Sequence, residues 1–132
     1  MKRAFLVSLV VAMPPWGAPM LAHHSFGGTY NVDKQITLTG KIVQLTLRSP
    51  HSFVYVEVPD ESGTPQRWTI EGASAQQFAQ QGFDKDAFKV GDPVEIVGNP
   101  SRSPNATRAR LIKITRTTDG RTWGSRAGEV VN

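Results

Sequence analysis

The chain contains no cysteine in 132 residues, which excludes a disulfide framework, a thiolate metal site and a lipid-modified cysteine. It also lacks an apolar run long enough to span a bilayer. The longest, Ala4 to Met13, is interrupted by Ser8, and a spanning helix needs about 20 residues. No internal repeat or coiled-coil heptad is present, and the only low-complexity stretch is the loop near Pro100. Catalytic motifs are missing as well. There is no G-x-S-x-G or H-E-x-x-H spacing, and Ser25, Ser49, Ser52 and His51 form no recognisable nucleophile motif. Glu57, Glu71 and Glu95 fall on strands, where they are expected to face solvent rather than pair as acid and base. The chain is therefore read as a binding protein and not an enzyme. Histidine is scarce too: His23, His24 and His51 are the only three.

The amino terminus follows a secretory pattern. Met1-Lys2-Arg3 is basic, the apolar run follows, and Pro14-Pro15-Trp16-Gly17 ends it. Ala22 suits the residue before a cleavage site, whereas a cut after Ala18 would put Pro19 behind the scissile bond. Cleavage is expected between Ala22 and His23. That divides the chain into a leader, 1–22, one domain, 23–123, and a loosely ordered tail, 124–132. Removing Lys2 and Arg3 lowers the formal charge from +4 to about +2, and so mild an excess says little about partners. No transmembrane segment is expected in the mature chain, whose location would be periplasmic or secreted.

Residues 27–34 are polar, with Tyr30 and Val32 as apolar anchors, and read as an extended arm on the domain. Ile36, Leu38, Gly40 and Ile42 share one strand face, whereas Val43, Leu45 and Leu47 take the opposite parity, which predicts a bulge between Gly40 and Val43. Arg48-Ser49-Pro50-His51 is a turn, and Phe53 to Val58 forms a second strand rich in aromatic and β-branched residues. Gln66 to Glu71 forms a third. Ser74 caps a short helix, Ala75 to Gln81, which Gly82 ends in the left-handed conformation. A single turn from Asp84 points Phe88 and Val90 inward. Strands follow over Pro93 to Val97 and Arg108 to Thr117, separated by a loop from Gly98 to Thr107. Thr118 to Arg121 makes a hairpin turn, with Trp123 on a short sixth strand.

Three strands, a short helix and two more strands is the element order of a small OB-like five-stranded barrel, an all-β fold. The helix between strands three and four is its most diagnostic feature. A β-sandwich is disfavoured by the small number of strands. The expected core is Ile36, Leu38, Ile42, Val54, Val56, Trp68, Ile70, Phe78, Val94, Ile96, Leu111 and either Ile112 or Ile114.

Three motifs carry a resemblance over most of the mature chain: Ala22-His23-His24-Ser25-Phe26, Ser49-Pro50-His51 and Gly91-Asp92-Pro93-Val94. They resemble a family of small exported bacterial proteins of unknown function, whose turn has Asn where this chain has Ser49. The resemblance implies no activity.

Cleavage before His23 would create an α-amine beside the imidazole of the same residue. That bidentate nitrogen chelate suits Cu(II), which favours tetragonal nitrogen and oxygen ligands. His51 would complete a three-nitrogen site similar to the histidine brace of some copper proteins. In a variant, the amine, the His24 amide and the His24 imidazole chelate the ion instead. Such ligands bind deprotonated, so affinity is expected to weaken below about pH 6 to 7. The bland alternative is a polar exposed terminus, with His51 capping a turn. A second class of function is a non-metal module holding an acidic protein, an anionic surface or an anionic ligand. Between Pro100 and Arg126 seven basic residues stand against Asp119 alone, and Arg108, Arg110 and Arg116 are the candidate contacts. Nucleic acid is the less expected partner, because the leader directs the chain away from the cytoplasm and Phe53, Tyr55 and Trp68 suit a core or interface as well as base stacking.

Overall fold

A computed structural model describes residues 26–124. The elements are α1 (Phe26–Thr29), β1 (Ile36–Thr46), β2 (Phe53–Pro59), β3 (Pro65–Glu71), α2 (Ala75–Gln80), β4 (Pro93–Pro100), β5 (Arg108–Arg116) and β6 (Thr122–Gly124). The sheet runs β3-β2-β1-β4-β5-β6, and a parallel pairing of β3 with β5 closes the first five strands into a barrel. This is the expected OB-like architecture: α2 falls between β3 and β4, and β1 is long enough to pair with β2 through one half and β4 through the other. Gly40 lies where those halves meet. A Cβ there would come 2.1 Å from the Glu57 carbonyl oxygen, so only glycine allows the crossing. The expected bulge is present, with the β1–β2 register shifting between Ile42 and Gln44.

Ile42, Val54, Val56, Ile70, Phe78, Val94, Ile96, Leu111 and Ile114 form the buried cluster, and Ile36, Leu38 and Trp68 pack against it partly buried. The ambiguous choice falls on Ile114. A second register shift, between Val97 and Gly98, inverts the inward parity of β5 between Leu111 and Ile114. The sequence reading omitted Phe83 and Ala87, whereas Phe88 is buried as its inward turn predicted. With Phe78 and Trp123, the two phenylalanines make an aromatic plug. Phe83 stacks on Phe78 at 4.4 Å and on Phe88 at 4.9 Å, and Trp123 meets Phe78 edge-on at 4.7 Å. Ser74 caps α2 in a capping box with Gln77, and Gly82 follows at φ +77° as expected.

Four local expectations fail. Residues 26–29 form a helical turn rather than extended chain, and only this turn brings Phe26 and Tyr30 together on the barrel, at 6.3 Å between ring centroids. Val32 is exposed rather than an anchor. Val90 points outward, because the turn from Lys89 to Asp92 folds the Asp92 carboxylate back onto the Lys89 amide and leaves Val90 at its tip. Finally, β4 continues to Pro100, since Gly98, Asn99 and Pro100 pair with Leu111, Arg110 and Ala109, and the loop shrinks accordingly.

Candidate functional site

Strand alternation and the closing pair build this site. Ile70 and Ala109 face each other across the β3–β5 seam and are fully buried in the core. Their neighbours Thr69, Glu71, Arg108 and Arg110 therefore share the outer side of the barrel, beside Phe53 of β2. The arm from Phe26 to Lys34 lies over this side. It is tied down by Asn31 N–H to the Pro100 carbonyl, by Arg102 N–H to the Thr29 carbonyl, and by the Asn99 side-chain amide to the carbonyls of Val32 and Lys34. Tyr30 is thereby buried with its hydroxyl against Glu71.

Glu71 is the centre of the cluster. Its Oε2 accepts from the Tyr30 hydroxyl and from the Arg108 guanidinium, and Arg108 Nε also donates to the Tyr30 oxygen at 2.7 Å. Oε1 faces His51 Nδ1 at 3.3 Å. That nitrogen is buried yet makes no hydrogen bond, because the carboxylate lies within ion-pair distance but off the donor's line. Burial alone would raise the Glu71 pKa. The hydrogen bonds from Tyr30 and Arg108 and the positive charge of Arg108 outweigh it and hold the carboxyl below its usual value. Burial, together with donation to Glu71, pushes the Tyr30 hydroxyl well above the ordinary tyrosine range, so it stays a neutral donor. The expectation that Glu71 faces solvent is therefore wrong. The residue points off the core as strand parity requires, but the arm covers it.

Phe26 joins the remaining groups. Its ring meets the His51 imidazole edge-on at 5.3 Å, and Arg110 Cζ lies 4.3 Å from the same ring's centroid. His51 and Arg110 thus stand on one phenyl group at the point where the described chain begins. The His51 side chain is 27% exposed. His23 and His24 lie outside the described residues. Among the described residues no group of three or more His, Cys, Asp or Glu comes together to hold a metal. No helix among them is long and apolar enough to cross a membrane.

Arg116 does not share this place. It ends β5, eight residues from Arg108 and so roughly 26 Å away along an extended strand. There its guanidinium donates to both Asp119 carboxylate oxygens, to the Ala87 carbonyl at 2.6 Å and to Asp92 at 3.3 Å. The basic run of the sequence is thus not a continuous positive stripe. Of the aromatics considered for stacking, Trp68 packs against the core, while Phe53 and Tyr55 stack on each other and carry Arg48 and Arg67 over their rings.

The sequence reading missed Tyr30, Glu71 and Phe26 as members of this cluster. A usable signal existed for one of them. Tyr30 is the only aromatic with a polar tip in the arm, and such residues bury the ring where the hydroxyl finds a partner.

The sequence pattern of a family of unknown function, DUF6152, matches residues 12–110. No curated protein matches the chain. Among solved structures, the mitochondrial single-stranded DNA binding protein Rim1 of S. cerevisiae is similar, with 13% identity and a TM-score of 0.47 over 64% of this chain and 93% of that one.

Proposed function

This chain belongs to DUF6152, a family of unknown function, and we propose that it is exported, cut before His23, and binds one Cu(II) ion at the new terminus. The donors are the His23 α-amine and imidazole with the His51 imidazole; in the variant chelate His24 takes the place of His51. The observation that carries this reading is the contact of Phe26 with His51. His23 precedes Phe26 by three residues, a stretch that reaches at most about 11 Å. The terminal amine is therefore tethered within reach of the one histidine of the barrel. The second support is Glu71. Nδ1 of His51 is buried 3.3 Å from its Oε1, which leaves Nε2 as the nitrogen to ligate. Copper displaces a proton from each nitrogen, so affinity falls on acidification.

Copper titration followed by spin resonance tests the reading. Protein beginning at His23 is compared with protein carrying one extra residue before it, and with His51→Ala. Tight binding that is lost in the extended form is expected, and equal affinity in the two sinks the terminal-amine site. Unchanged affinity in His51→Ala replaces the brace with the His24 chelate.

A further inference from the structure

Three arginines of β5 have three different surroundings. Arg116 is held by Asp92 and Asp119, and Arg108 by Glu71 and Tyr30. Arg110 lies between them with its guanidinium over the Phe26 ring, and makes no hydrogen bond or ion pair with any described residue. Burial lowers its pKa. Register explains the missing partner. The cross-strand neighbours of Arg110 are Glu71 and Asn99. Glu71 is committed to Tyr30, Arg108 and His51, and the Asn99 amide donates to the arm's carbonyls.

A guanidinium whose Cζ sits over a ring, with no acceptor among the described residues, keeps N–H donors for the fork that matches a carboxylate. A single positive charge with no counter-charge among the described residues matches a monoanion better than a phosphate. We propose that Arg110 is the binding site for a small carboxylate, gripped in bidentate fashion by guanidinium N–H groups while the Phe26 ring packs against Cζ. The site lies on the same phenyl ring as His51, goes beyond the metal reading, and needs no metal.

Formate is the probe, because it is the smallest ligand with the required fork. Metal-free, 15N-labelled protein is titrated with sodium formate at constant ionic strength, with sodium chloride as balance, and the Arg110 Nε–H resonance is followed. A saturable shift is expected with a dissociation constant on the order of 1 to 10 mM, near the ceiling for so small a ligand. Backbone amides beside position 110 should report the same constant. Arg110→Lys keeps the charge but not the fork and is expected to weaken binding at least fivefold; Arg110→Gln should abolish it. A linear shift that chloride reproduces overturns the proposal. So does a formate affinity unchanged in Arg110→Lys, a comparison that remains decisive if Arg110→Gln fails to fold.

Discussion

Consecutive residues of β3 serve two regions of opposite character. Ile70 faces the core, whose end is sealed by the stacked plug of Phe78, Phe83, Phe88 and Trp123. Glu71 faces outward into the cluster of Tyr30, Arg108 and His51 under the arm. In the plug the contacts are mainly between apolar rings, so burial is the main stabilising influence. Under the arm each polar group must find a partner in the right direction. There one buried nitrogen, His51 Nδ1, and one guanidinium, Arg110, are left without hydrogen bonds from described residues. The difference separates roles: the plug holds the barrel together, and the cluster sets the position of chemically available groups.

The largest effect should come from the plug. Phe78→Ala removes a fully buried ring and should lower unfolding stability by about 3–5 kcal/mol in urea denaturation. If it costs no more than the substitutions under the arm, the division of roles is wrong. Glu71→Gln comes next, at about 2 kcal/mol, because it leaves Arg108 without its counter-charge; Arg108 is itself 43% exposed, so water recovers part of the loss. The same variant should change the His51 ring resonances while leaving those of Trp123 in place. Tyr30→Phe removes one hydroxyl that bridges Glu71 and Arg108 and should cost about 1 kcal/mol. Its clearer readout is hydrogen exchange, in which the arm amides of Asn31 and Lys34 lose protection while β4 keeps it.

The smallest effect is a pH dependence confined to the arm. The folded-state pKa of Glu71 is depressed below 4.5, so its contribution is present above that value and is lost as pH falls through the folded pKa. Arm protection should decline below pH 4.5 before the barrel unfolds. Asp119 offers an internal comparison. The hydrogen bond from Arg116 draws its pKa down to about 2, so its carboxyl carbon resonance should hold steady until acidification approaches that value. A resonance that moves near pH 3.8 instead would show that the Arg116 clasp does not hold Asp119 ionised.

Much of the barrel was legible in short stretches of sequence. The capping box of α2, Gly82 after it, the bulge signalled by the change of parity after Gly40, and the alternation of β2 are each decided by contacts among neighbours in the chain. The motif containing His51 was legible as a turn for the same reason. The outer cluster was not, because Tyr30 lies 41 residues from Glu71 and Arg108 lies 37 from it. The partner of a strand carboxylate depends on which strand closes the barrel and on what lies over the seam.

The sequence by itself determined where most strands and turns and α2 fall, though not α1 or the last residues of β4, since backbone preference and the two-residue and 3.6-residue periods act over a few residues. It also determined which arginines exist on β5, but not their states. Only the tertiary structure decided that Arg116 is clasped, that Arg108 is paired and that Arg110 is left over the Phe26 ring. The parallel closure of β3 on β5 and the helical turn of the arm bring those groups together. An ion pair is fixed by distance in space, and separation along the chain carries no record of it until the barrel closes.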